Sequence, residues 1–118
     1  MIILGLDIAT VTGWAIYDTD KSPSAIRSGS FKLVGDTAFE KVVDMRARLP
    51  RLIREEKPQF AAVEAPLEFA PQFKKVRKDM LGEKEEAGTT INTKTIAQLN
   101  RLSGAAIMAV IGQNVPCV

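Results

Sequence analysis

Gly5-Leu6-Asp7-Ile8-Ala9-Thr10-Val11-Thr12-Gly13-Trp14 is the stretch on which the reading of the fold turns. Its acid closes an apolar run, Ile2 to Asp7, with the pattern of a strand buried on both faces. A second acid, Glu64, closes another apolar run, Phe60-Ala61-Ala62-Val63. Carboxylates at the tips of two strands supply the hard oxygen ligands that magnesium prefers. The plainer alternative is that Asp7 caps a turn and that Glu64, before Ala65-Pro66, is an ordinary exposed strand end. No Asp or Glu follows Glu86, so a third acidic ligand lies beyond Val118 or does not exist.

The 118 residues fit a single domain, 1–118. A chain of that size buries roughly two-thirds of its unfolded surface. A hydrophobic fraction of 46% argues against disorder of the whole chain. The net charge of +2 is too small to imply nucleic acid by itself, so any basic surface must be local. The chain has no histidine, which excludes Ser-His-Asp and Cys-His triads and His-ligated zinc. Cys117 is the single cysteine and cannot form an intrachain disulfide. With no basic n-region or long h-region after Met1, this points to a reducing cytoplasm. The longest nearly apolar run, Gly104 to Gly112, falls short of the roughly 20 residues that span a bilayer, so no membrane role is expected.

Strands are expected at Ile2 to Asp7, Trp14 to Tyr17 and Ile26 to Leu33, joined as a meander, with Trp14 and Tyr17 in the core. Asp18 and Asp20 belong to the polar turn that runs to Ser24. Thr37-Ala38-Phe39-Glu40 fits a capping box, and Ala38, Val42, Met45, Leu49 and Leu52 then recur at helical spacing. Pro50 predicts a kink or a break there, and the arginines from Arg46 to Arg54 read as a solvent face. Residues 66–91 read as the least regular part. A second capping box, Thr95 to Gln98, starts a helix to about Gly112 that is apolar nearly all round, which predicts burial against more than one neighbour. Val115 to Val118 reads as a fifth strand. The order β-β-β-α-β-α-β implies an α/β fold, a mixed five-stranded sheet with helices packed on it through right-handed crossovers.

That order, with acids at two strand ends, resembles the ribonuclease H-like fold, and more closely the RuvC-type Holliday-junction resolvases, particularly their phage-encoded relatives. Gly5-Leu6-Asp7 followed by Thr12-Gly13-Trp14 is similar to the first-strand motif of that family. Val63-Glu64 with Ala65-Pro66 is similar to its fourth-strand end, and Leu102 to Ala106 through Asn114 to Val118 to its central helix and following strand. The family's final helix, which brings further aspartates to the metals, is absent from this sequence. The chain therefore reads as a ribonuclease H-like domain truncated at its C-terminal end.

The resemblance implies a Mg²⁺-dependent (or Mn²⁺-dependent), structure-selective DNA endonuclease that acts on branched DNA, the Holliday junction, as a homodimer. It places the protein in a bacterial or phage-infected cytoplasm. Hydrolysis in this family uses two metal ions about 3.5–4 Å apart. The resemblance implies that Asp7 bridges both ions and that Glu64 binds one. Two carboxylates carry less charge than two divalent ions require, so weak metal binding and little or no cleavage are expected of this 118-residue form. Phe69, Phe73, Lys74, Lys75, Arg77 and Lys78 combine aromatic and basic character suited to holding DNA, although Asp79, Glu83, Glu85 and Glu86 make the stretch close to neutral. Lys94 and Arg101 stand out because no acid offsets them. Two other functions stay open: a non-catalytic remnant that binds branched DNA, and a sugar-kinase-like or actin-like phosphate-binding half-domain. Against the latter, Ala9-Thr10 lacks the expected glycine.

Overall fold

The computed structural model describes residues 1–64, 72–79, 82–89 and 93–118, with 72–79 and 82–89 described as backbone. β1 (Ile2–Asp7), β2 (Val11–Asp18) and β3 (Arg27–Lys32) form the expected meander. Helix α1 (Ala38–Glu56) leads into β4 (Phe60–Val63). β5 (Gln72–Asp79) and β6 (Gly82–Thr89) precede α2 (Thr93–Gly112). The main sheet has the order β3-β2-β1-β4, antiparallel except for the parallel pair β1 and β4.

The sheet has four strands where five were expected. Val115 to Val118 does run beside β4, with a single parallel bridge between Ala61 and Cys117. Ala61 N–H donates to the Pro116 carbonyl at 2.9 Å, Val63 N–H to Val118 at 2.8 Å, and Val118 N–H to Ala61 at 3.0 Å. Pro116 has no N–H to add to the ladder, which keeps the segment short of a regular strand.

β1 was expected to be buried on both faces, but only one face is covered. Leu4, Leu6 and Ile8 alternate into the core with Ile16 and Ala61, and there they meet Met45, Leu49 and Ile53 of α1 and Leu102, Ala106, Ala109 and Val110 of α2. Ile3 and Gly5 are only half-buried, and Asp7 is exposed. Tyr17, in register with Ile3, therefore lies on the open face and not in the core. Trp14 does pack against the core, with its ring over Gly29. A Cβ on Gly29 would stand 2.6 Å from that ring, so the position has no room for a larger residue.

α1 begins as the sequence indicates. The Thr37 hydroxyl accepts from the Glu40 N–H at 3.1 Å, and the Glu40 carboxylate accepts from the N–H groups of Thr37 and Asp36. Gly35 enters this cap at φ 139°, where a side chain would also collide with Glu40. The helix runs unbroken through Pro50, contrary to a break there. The missing N–H leaves the Arg46 carbonyl without its helical donor. The proline ring, however, is buried among apolar side chains, which offsets part of that cost. Lys57 closes the helix in the left-handed conformation, donating to the Ile53 carbonyl at 2.8 Å.

Two further expectations change. α2 begins at Thr93, so Thr95 lies inside the helix and does not cap it. The helix is not buried all round either: Gly104, Met108 and Ile111 face solvent, the last two 66% and 53% exposed. Within the stretch read as irregular, β5 and β6 pair as an antiparallel hairpin. Its register sets Lys75 opposite Glu86 and Lys78 opposite Glu83, with the like-charged Arg77 and Lys84 opposite each other between them.

Candidate metal centre

Asp7 is the last residue of β1, and Glu64 immediately follows β4. The two strands run parallel with Leu6 opposite Val63, so the next positions, Asp7 and Glu64, are also neighbours. The Glu64 N–H donates to the Leu6 carbonyl at 3.1 Å, which carries the ladder past the end of β4 and fixes the second acid beside the first. Alternation does the rest. Leu6 and Val63 turn toward the helices, and Asp7 and Glu64, one residue on, turn to the open face.

Both carboxylates are exposed, and among the described residues neither takes part in a hydrogen bond or an ion pair. Several other described acids have structural partners, although the Asp36 carboxylate, like these two, has none among the described residues. Glu40 caps α1, Asp44 accepts from the Val34 N–H at 2.7 Å and pairs with Arg48, and Asp18 and Asp20 meet the amino terminus at the opposite edge of the sheet. The turn role read for Asp18 and Asp20 therefore fits, with Asp18 accepting from the Asp20 N–H at 3.1 Å.

In front of Asp7 the open face forms a shallow depression of about 310 Å³, lined by Gly5, Leu6, Gly13, Trp14 and Ala15. Ala62, in register with Gly5, continues this floor of small residues. The sequence reading missed the floor, although period-two alternation from Asp7 marks Gly5, and pairing across the hairpin marks Gly13 and Ala15. The loop from Ile8 to Thr10 is tied by Thr12, whose buried hydroxyl donates to the Ala9 carbonyl at 2.7 Å. Chemically, the edge offers two hard oxygen donors on rigid strands, open to a large substrate. Among the described residues no group of three His, Cys, Asp or Glu side chains gathers at one place.

Phe69 lies outside the described residues, and Phe73, Lys74, Lys75, Arg77 and Lys78 lie on β5, of which the backbone alone is described. The arginines of α1 are mainly a solvent face. Arg48 and Arg51 pair within the helix with Asp44 and Glu55, at 3.0 and 3.2 Å, and Arg48 stands 5.9 Å from the Phe31 ring centre. No described helix is long and apolar enough to cross a membrane.

No family model matches the sequence, and no curated protein matches it. Solved structures do. The chain is similar to Thermus thermophilus RuvC in complex with a Holliday junction substrate, with TM-score 0.67, 17% identity, and coverage of 99% of this chain and 62% of that one. A second Thermus thermophilus RuvC structure aligns with TM-score 0.60 and 18% identity, over 99% of this chain and 61% of the other. The chain thus spans about three-fifths of the length of the solved chains it matches. At such identities the likeness is one of architecture, and the chain has the fold of RuvC.

Proposed function

We propose that this chain carries the core of a Mg²⁺-dependent, structure-selective endonuclease for branched DNA, with Asp7 and Glu64 as its metal ligands. The observation that carries the reading is the pair itself: two solvent-facing carboxylates, side by side on rigid strand ends, with no structural partner among the described residues. A cap or turn acid would be expected to accept a local hydrogen bond, as Glu40 and Asp18 do. The donor set suits a hard cation, because both groups offer carboxylate oxygens and both are open to the waters that Mg²⁺ retains.

When bound, Mg²⁺ supplies an activated water and steadies the leaving oxygen of a phosphodiester. Asp7 and Glu64 would be the residues that hold it. The floor of Gly5, Gly13 and Ala15 leaves a nucleic-acid backbone free to approach. The RuvC likeness, to a protein solved on a Holliday junction, supports a branched substrate. With two acids alone, these 118 residues bind metal weakly and cut slowly or not at all, so a second reading is a module that binds the junction without cleaving it. The absence of a third nearby acid among the described residues favours that reading.

A homodimer belongs to the same proposal, since a four-way junction has two-fold symmetry. A largely apolar groove of about 480 Å³ supports it, lined by Phe39, Val42, Ala105 and Met108 together with Asn100 and Arg101, with Phe39 75% exposed.

The test is cleavage of a synthetic four-way junction with and without Mg²⁺, with Asp7→Asn and Glu64→Gln as controls. Metal-dependent cleavage lost in both variants is the result expected of a nuclease. Binding without cleavage assigns the junction-binding module. Cleavage unchanged in Asp7→Asn rejects the metal mechanism.

A further inference from the structure

We propose that the cavity between the first turns of α1 and α2 holds a phosphate of the DNA backbone, a second anchoring point on the same edge of the sheet as the carboxylate pair. The inference rests on the nuclease reading above and adds to it the place where the polyanion is held. The cavity, about 570 Å³, is lined by Lys41, Lys94 and Arg101 together with Thr37 and Gln98, and Asp36 is its one acid.

Two observations make it more than surface charge. The first is pairing. Arg27, Arg48 and Arg51 are neutralised by Glu56, Asp44 and Glu55, whereas Lys41, Lys94 and Arg101 make no ion pair among the described residues. Three cations around one hollow repel one another, and an anion bound between them relieves that repulsion. The partial positive charge at the start of α2 adds to theirs, whereas the start of α1 is already met by the Glu40 carboxylate.

The second is topology. β3 ends beside the start of β2, where the Leu33 N–H donates to the Thr10 carbonyl at 2.7 Å, so α1 begins at the edge that carries Asp7. α2 is followed by the segment that runs parallel to β4, so α2 begins at that edge as well. The cavity and the carboxylates therefore share one end of the fold. Two unpaired carboxylates repel DNA, so a strand presented to them on the open face must be held by positive charge elsewhere at that end of the fold. Lys41, Lys94 and Arg101 provide it.

The experiment measures binding of a labelled four-way junction by fluorescence anisotropy in Ca²⁺ buffer, across a series of salt concentrations. Lys94→Gln/Arg101→Gln is compared with Arg46→Gln/Arg54→Gln, which removes the same charge from exposed positions farther along α1. The cavity variant is expected to bind about tenfold more weakly, with its log–log salt dependence flatter by about 0.9, the share of a single phosphate. The control pair is expected to stay within about twofold, with the wild-type slope. Equal weakening in the two variants, or an unchanged cavity variant, overturns the proposal and leaves the nuclease reading intact. Displacement of the DNA by poly-glutamate as readily as by competitor DNA of matched charge would reassign the cavity to acidic peptides, and also overturns it. A wild type that binds no junction removes both readings.

Discussion

Asp7→Asn reverses the sign of its stability effect with metal, and the structure sets the size of both halves. Neighbouring strands place registered positions ~4.8 Å apart, and Asp7 and Glu64 are such neighbours. Two unit charges about 5 Å apart repel by ~0.8 kcal/mol in bulk water, and by about four times that at an effective dielectric of 20. Both groups are exposed, so the water value governs, and salt lowers it further. The Asp7 carboxylate makes no hydrogen bond among the described residues, so the substitution forfeits none there. In EDTA, Asp7→Asn should therefore be more stable than wild type by up to about 0.8 kcal/mol, a rise in Tm of roughly 1–4 °C for a domain of this size. In about 10 mM Mg²⁺ a site of millimolar affinity stabilises wild type by ~1.4 kcal/mol, and the variant gains little of it. Thermal unfolding followed by circular dichroism, with and without the ion, reads both. A Tm that falls in EDTA would show Asp7 to be a structural cap, and a wild-type Tm indifferent to Mg²⁺ would refute the metal centre.

Leu49→Ala, at a fully buried position between helix and sheet, should cost about 2–5 kcal/mol in urea unfolding, far more than any change on the open face. Met108→Glu puts a charge into the apolar groove without touching the core, so light scattering should show a dimer converted to monomer while the Tm holds within roughly 2 °C. Partial burial pushes the Cys117 thiol above its ordinary pKa, so at pH 8 less of it is thiolate than of a free cysteine. Its reaction with a disulfide reagent should be slow in the native protein, speed up as pH rises, and jump on unfolding.

The strands and the first helix were legible because their signals are local. Ile2 to Asp7 is bounded by polar or glycine-rich turns, and the Thr37–Glu40 box satisfies its own backbone donors. The proximity of Asp7 and Glu64 was legible only through the resemblance, because no local pattern states which strands are neighbours. Three things were not legible. The pairing of 72–79 with 82–89 follows a register visible only once the two segments are laid antiparallel. The exposure of Met108 and Ile111 depends on how much of α2 the sheet and α1 cover, a tertiary fact that composition does not carry. The cationic hollow joins Lys41 to Lys94 and Arg101 across more than fifty residues of chain, and sequence distance conceals it.

The amino terminus donates to the Thr19 hydroxyl at 2.9 Å and lies near Asp18 and Asp20, at the start of β1. Asp7 is the sixth and last residue of the strand that follows, about 20 Å away. A fluorophore or surface tether joined at Met1 therefore disturbs only the exposed ammonium contacts to Thr19, Asp18 and Asp20 and leaves the acidic rim unobstructed, which makes that end the natural handle for single-molecule work on junction capture.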